Sequence, residues 1–166
     1  MYTRKLYEQV GDYNPELFLV EDYDYFIRAA RAFQFCHISE PLYFFRRDDD
    51  TLFLSRYPEV KASDVLIRHK NDLLNESQFF EVMVDIIMRK MAGLKHPLLR
   101  NSHGWLKGRS YRLTTLLDRW IARYLKRCAK NEVGSLVRQY RSGAATFKET
   151  RNALAEFMQR HGTIEY

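Results

Sequence analysis

The chain has 166 residues, which is enough for one compact domain or for a small domain with an appendage. Hydrophobic residues make up 46% of the sequence and aromatic residues 14%, a composition that excludes an intrinsically disordered chain. The net charge of +6 is unevenly spread, since residues 1–56 carry 7 Lys/Arg and 10 Asp/Glu, whereas residues 57–166 carry 20 and 11. This contrast predicts two parts with different roles, 1–56 and 57–166.

The cysteines and the apolar runs indicate a reducing compartment and no membrane span. Cys36 and Cys128 are the only thiols, and neither has a second cysteine at metal-ligand spacing. The N-terminus lacks the continuous apolar run of a signal peptide. No stretch approaches the roughly 20 apolar residues that a transmembrane helix needs. We therefore expect a cytoplasmic protein, peripheral to a membrane at most.

The first part combines short helices with short strands. Its predicted elements are a helix at 3–10, a turn around Pro15, an extended run at 17–20, a helix at 21–33 and strands at 33–38 and 42–47. The helix at 21–33 is indicated by apolar residues at steps of three and four, from Phe26 to Phe33.

The second part shows only helical periodicity from about Tyr57 onward. The clearest pattern is a helix at 110–130, in which apolar residues from Leu113 to Cys128 share one side and basic residues fall elsewhere. The last helix begins at Thr146 with a capping box to Glu149 and ends at Gly162. The predicted fold class is α+β, mostly α, with short strands followed by a helical C-terminal region.

Three carboxylates lie in the first turn of the helix at 21–33. Glu21, Asp22 and Asp24 stand where the helix dipole favours negative charge. Taken alone, this pattern has an ordinary structural explanation. Asp22 could cap the helix, and Asp24 with Arg28 has the i, i+4 spacing of a surface ion pair.

The order of motifs in residues 2–56 indicates more than a helix cap. A GDYN turn at 11–14 precedes EDYD at 21–24 and Arg28, and ISEPLYFFR follows at 38–46. This order resembles the C-terminal, acceptor-side half of family-2, GT-A type glycosyltransferases. The resemblance covers about the first third of the chain, and it implies a partial GT-A (α/β) fragment at 1–56 followed by a basic helical tail at 57–166.

The resemblance implies roles for particular residues. Asp22 matches the catalytic base, which would take the proton from an acceptor hydroxyl during an inverting transfer. Glu21, Asp24 and Arg46 match substrate-binding positions, although Asp24 could instead brace the helix with Arg28, and Arg46 could end a solvated strand. Asp48 falls where the family often has a histidine that contacts metal or diphosphate.

The resemblance also implies a nucleotide-sugar donor, a divalent metal (Mg or Mn) and a sugar acceptor in polysaccharide synthesis. The family binds its donor through a βαβ region and an Asp-x-Asp motif before the acceptor-side half, and neither precedes residue 11 here. The acidic run 48–50 is interpreted as a solvated loop. We expect that the 166 residues alone are inactive and that they pair with a missing N-terminal half or with themselves.

The basic helix at 110–130 has two interpretations. Its apolar side with Trp120 and its basic side are typical of a helix on an anionic membrane surface. The same pattern fits a core helix of a small bundle, and His96 and His103 nearby are interpreted as surface residues. The alternative function is therefore a non-enzymatic helical module that binds a membrane or a protein partner. Binding to nucleic acid is the third interpretation, because the sequence contains no recognisable nucleic-acid-binding module beside the basic face of this helix.

Overall fold

The structure is a computed structural model that describes residues 3–44, 51–90, 93–94 and 111–163. It is mostly helical. The helices are α1 (Arg4–Val10), α2 (Glu21–Ala32), α3 (Leu52–Ser55), α4 (Tyr57–Lys70), α5 (Glu76–Lys90), α6 (Tyr111–Ser142) and α7 (Phe147–His161), with a 3-10 helix at Pro15–Leu17. Two-residue strands, β1 (Gly93–Leu94) and β2 (Gly162–Thr163), pair antiparallel.

The core forms where α4, α5, α6 and α7 meet. Helix α4 is buried over a broad part of its surface, and Ala62, Val65, Leu66 and Ile67 are fully buried. Its closest neighbours are α7 and α5, while α6 packs on α5 and α7. Burial of this apolar surface is the main force that holds the four helices together.

The helices α5 and α6 approach each other closely at a glycine. Gly134 lies in the middle of α6, and a Cβ placed there would be 3.6 Å from the ring of Phe80 on α5. Phe80 is fully buried and also packs at a right angle on Phe79. Helix α6 continues through Gly134 to Ser142, beyond the predicted end at 130.

Local capping signals fix two helix starts. Thr146 Oγ1 accepts a hydrogen bond from the Glu149 N–H at 3.2 Å, and Glu149 accepts one from the Thr146 N–H at 3.0 Å, so the predicted capping box of α7 is confirmed. Asn75 and Gln78 exchange the same reciprocal bonds before α5, at 2.9 and 3.0 Å. That second box was missed because asparagine and glutamine replace the usual pair.

The strands predicted in the first part are wrong over the described residues. Residues 33–44 have no strand pairing, and Phe35, Ile38, Tyr43 and Phe44 are exposed. A strand needs a neighbour for its backbone groups, and none of the described segments offers one. The prediction of an extended run at 17–20 is also wrong, because Leu17 ends the 3-10 helix and the chain then turns into α2.

The first part nevertheless contributes to the common core. Leu17, Val20 and Ile27 belong to the same hydrophobic cluster as the residues of α4 to α7. Arg31 of α2 donates to the carbonyl oxygen of Asn71 after α4 at 2.6 Å. The proposed boundary between 1–56 and 57–166 stays a prediction. None of the helices in the described part of the chain has an apolar stretch long enough to cross a bilayer.

Truncation of Phe80 tests this core. Phe80→Ala is expected to lower the free energy of unfolding by about 3–5 kcal/mol, because it removes a fully buried ring that fills the space above Gly134. Urea denaturation measures the change. The matched control is Phe44→Ala, which removes the same ring from an exposed site and should change stability by less than about 0.5 kcal/mol. Equal effects of the two variants would contradict the packing described here.

Candidate functional site

The start of α2 carries the predicted catalytic carboxylates. Helix α2 begins at Glu21, and Glu21, Asp22 and Asp24 all lie in its first turn. Val20 precedes them and offers no side-chain cap. Negative charge at this end of a helix interacts favourably with the free N–H groups and the helix dipole.

The chain enters α2 through a strained turn. The Asn14 side chain accepts a hydrogen bond from the Glu16 N–H at 3.0 Å and so caps the 3-10 helix. Two residues before α2, Leu19 has a φ of 85°, a left-handed conformation that is costly for a branched side chain. Such outliers concentrate at functional sites, where the surrounding structure enforces them.

Arg28 holds α2 against the turn that follows α1. Its Nε donates to Asp24 Oδ2 at 2.8 Å, and its two terminal nitrogens donate to the carbonyl oxygens of Val10 at 2.5 Å and Asp12 at 2.9 Å. Gly11, between these carbonyls, has a φ of 81°, which a residue with a Cβ would rarely adopt. We refer to these contacts as the Arg28 clamp.

The clamp accounts for one predicted site residue. Asp24 is buried and its Oδ2 is bound to Arg28, so the structure places it in a bracing position. Its predicted contact with substrate stays a prediction. The clamp also fixes the first turn of α2, because Asp24 is one turn away from Arg28 on the same helical face.

The side chains of Asp22 and Glu21 differ in their exposure to solvent. Asp22 is exposed, and its Oδ1 accepts a hydrogen bond from the Tyr23 N–H at 2.7 Å. Glu21 is partly buried, and its Oε2 is enclosed with no hydrogen-bond partner in the described part of the chain. An enclosed carboxylate oxygen without a partner is costly, so it is a candidate contact for a ligand. Asp22 lines neither of the two cavities described below.

An exposed aromatic surface lies beside this helix. Tyr13 packs on Tyr25 with ring centroids 4.8 Å apart, and Phe26 packs on Phe35 at 6.4 Å. Further along the chain, Tyr43 is 79% and Phe44 95% exposed. Exposed apolar side chains that cluster on a folded protein commonly mark an interaction site.

Two further site residues predicted from the sequence, Arg46 and Asp48, fall outside the described residues. Within the described ranges, no three His, Cys, Asp or Glu side chains come together in a group that could hold a metal ion. His96 and His103 also lie outside these ranges.

The apolar side predicted for 110–130 is divided in the structure. Ile121 and Leu125 are buried in the core, whereas Leu116 is 59% and Trp120 56% exposed. Tyr124 stacks on Trp120 with ring centroids 5.9 Å apart. One face of the helix, with Ile121 and Leu125, therefore packs into the core. A second face, with Leu116, Trp120 and Tyr124, presents apolar side chains to solvent.

Two cavities lie between the helices. A cavity of about 580 Å³ between α5 and α6 is lined by both acidic and basic side chains, among them Glu81, Asp85 and Arg123. A larger one, of about 990 Å³, lies among the 3-10 helix, the two ends of α4, the end of α6 and the start of α7. We call the larger one the basic cavity, because its lining includes Arg56, Lys70, Arg141, Lys148 and Arg151. Sequence reasoning missed it, since its cations come from distant segments.

Comparison of the chain with known protein families finds no match, and neither the curated proteins nor the solved structures contain a similar chain. The candidate sites therefore rest on the residues and their geometry.

The Arg28 clamp can be tested against a matched ion pair. Arg28→Gln is expected to lower the free energy of unfolding by about 1–3 kcal/mol, because it leaves a buried carboxylate and two carbonyl oxygens without their donor. The control is Arg4→Gln, which breaks the Arg4–Glu8 pair. Both pairs have i, i+4 spacing and an Nε–O distance of 2.8 Å, but the side chains are 91% and 60% exposed in the control, against 29% and 11% in the clamp.

Chemical denaturation of the two variants measures the difference. The control variant Arg4→Gln should lower the free energy of unfolding by about 0.5 kcal/mol or less, because its ion pair is exposed. A clamp variant as stable as the control variant would show that Arg28 does not hold α2.

Proposed function

We propose that this chain is the acceptor-side part of an inverting, family-2 type glycosyltransferase that works in polysaccharide synthesis. The observation that carries the proposal is the start of α2, where the exposed Asp22 of the EDYD motif stands on a helix held by the Arg28 clamp. The motif order around it supports the same assignment. The proposed location is cytoplasmic, at the inner face of a membrane where lipid-linked acceptors are available.

The proposed chemistry assigns Asp22 as general base. Its free carboxylate oxygen accepts the proton of an acceptor hydroxyl while the hydroxyl oxygen attacks the anomeric carbon of the donor sugar. The bond from that carbon to the nucleotide diphosphate breaks, and the diphosphate leaves with the electron pair. Glu21 is proposed to line the acceptor pocket or to orient Asp22, which follows it in the same helical turn.

The clamp supports this role by reducing the motion of the base. A general base must lie within hydrogen-bond distance of the proton that it removes, and misplacement by about 1 Å costs much of the rate. Arg28 joins α2 to the backbone of residues 10 and 12 through two carbonyl oxygens. A divalent metal is part of the proposal for the family, but the described residues offer no ligand set, and no step is assigned to it.

The donor is proposed to bind to a region outside these 166 residues. The exposed aromatic surface beside α2 is suited to contact such a region, because burial of Phe35, Tyr43 and Phe44 would remove a large apolar area from water. In its absence the same surface would favour self-association.

The test is an amide replacement in the enzyme joined to its nucleotide-sugar-binding region. Asp22→Asn is expected to lower kcat by about 10²–10⁴-fold, since an amide cannot accept the proton. Release of nucleotide diphosphate from a panel of nucleotide sugars, with lipid-linked acceptors, measures turnover.

The matched control is Asp12→Asn. The Asp12 carboxylate also accepts a hydrogen bond from the next N–H at 2.7 Å, and its side chain is exposed, but it lies outside α2. It should leave turnover close to the wild-type value. Wild-type turnover in Asp22→Asn would rule out this residue as the base.

A second candidate function is binding to an anionic membrane surface through α6. It is favoured by the exposed line of Leu116, Trp120 and Tyr124, which lies on the same helix as the exposed Arg119, Arg123 and Arg127. Apolar residues that enter the headgroup region beside cations that attract anionic lipid are the features of an interfacial helix. This function is compatible with a transferase or with a non-enzymatic module.

Vesicle binding tests the second candidate. The triple variant Arg119→Gln, Arg123→Gln and Arg127→Gln should weaken binding to phosphatidylglycerol vesicles by about 100-fold, since each cation near the surface contributes about 1 kcal/mol. A control with the same charge change replaces Arg4, Lys5 and Arg160, which lie on α1 and α7. Equal binding by both triple variants would exclude this face of α6.

A further inference from the structure

The basic cavity combines cations and aromatic rings in one connected wall. Lys70 Nζ lies over the ring of Tyr140, 5.4 Å from its centroid, and the guanidinium of Arg151 lies over the ring of Phe147 at 6.0 Å. The two rings are themselves in contact, with centroids 6.0 Å apart. The end of α4, the end of α6 and the start of α7 therefore meet in a single surface.

The positive charge of the cavity is only partly balanced by protein carboxylates. Arg56 pairs with Glu59, and Arg141 pairs with Asp72. Over the described residues, Lys70, Lys148 and Arg151 form no ion pair. Among the described residues that line the cavity, Glu16 is the one carboxylate, against five cations. This excess charge creates a positive field that favours anionic ligands.

Arg151 is the most informative of these cations. It is only 6% exposed, and it donates hydrogen bonds from Nη2 at 3.0 Å and from Nε at 3.2 Å to Oδ1 of its sequence neighbour Asn152. A buried guanidinium is normally matched by a carboxylate or another anion, because loss of hydration is costly. Its planar array of donors suits a phosphoryl group, which accepts two parallel hydrogen bonds.

Tyr140 adds a buried hydroxyl to the lining of the cavity. It lines the cavity, is 6% exposed, and its hydroxyl has no hydrogen-bond partner in the described part of the chain. Burial, together with the charges of Asp24 and Glu16, raises the pKa of Tyr140 to about 12. The hydroxyl therefore keeps its proton at neutral pH and remains a donor.

We propose that the basic cavity binds a phosphate-bearing ligand, with its phosphoryl oxygens held by Arg151, Lys70, Lys148 and the Tyr140 hydroxyl. The volume of about 990 Å³ is large enough for a phosphate with an attached organic group. Phe147 and the apolar residues of the 3-10 helix line the space for that group. The site goes beyond the transferase proposal and does not depend on it, since none of its residues belongs to the first turn of α2.

Two probes separate the possible sources of the phosphate. Inorganic pyrophosphate represents a soluble ligand and is titrated into the full chain by calorimetry. Vesicles that contain phosphatidic acid represent a lipid headgroup and are tested by co-sedimentation. Binding of pyrophosphate in a saturable, equimolar manner indicates a soluble ligand, whereas cavity-dependent binding of the vesicles alone indicates a headgroup.

The variants are chosen so that folding does not obscure the result. Lys70→Gln with Lys148→Gln replaces two exposed cations, and it should weaken binding of the effective probe by about tenfold or more. Tyr140→Phe keeps the ring and removes only the hydroxyl, and it should weaken binding by about tenfold. Arg4→Gln with Arg160→Gln is the control, with the same charge change at exposed sites on α1 and α7 outside the cavity.

The proposal is overturned if neither probe binds at millimolar concentration. It is also overturned if the double lysine variant binds as the control variant does. If Tyr140→Phe binds the probe with wild-type affinity, the Tyr140 hydroxyl does not contact the ligand. Loss of binding in both cavity variants, with turnover by Asp22 unaffected, would establish a site separate from the catalytic one.

Discussion

The Arg28 clamp is the contact on which the arrangement of the first part depends. One guanidinium joins the Asp24 carboxylate to two backbone carbonyl oxygens of the preceding turn. Donors in this planar geometry are strong when their acceptor is charged and partly removed from water. Because Asp24 lies one turn from the start of α2, the same contact fixes where Glu21 and Asp22 stand. The proposed base is thereby held by a side chain that does not itself take part in the chemistry.

The helical part gives this site a rigid support. Leu17, Val20 and Ile27 extend the core formed by α4 to α7, so that the chain on both sides of Leu19 is anchored. That anchoring is what allows a leucine to remain at a φ of 85°. The 3-10 helix also lines the basic cavity. A phosphate-bearing ligand there and an acceptor at Asp22 would contact neighbouring segments without sharing residues.

Local patterns predicted the helices well, and long-range contacts explain the differences. The Thr146 box and the apolar face of α5 depend on residues three or four apart, which the sequence displays directly. The strands at 33–38 and 42–47 depend on pairing with another segment, which periodicity cannot supply. The basic cavity was not foreseen because Arg56, Lys70 and Arg151 come together only through the packing of α4 and α7. Arg46 and Asp48, outside the described residues, stay predictions.

A double-mutant cycle between Asp24 and Arg28 tests the central claim most directly. Urea denaturation of Asp24→Asn, Arg28→Gln and the double variant gives the coupling energy between the two side chains. The clamp predicts a coupling of about 1–3 kcal/mol, because each single change leaves the other group buried without its partner. A coupling near zero would show that the two side chains act independently, and the first turn of α2 would then lack the support on which the proposed base depends.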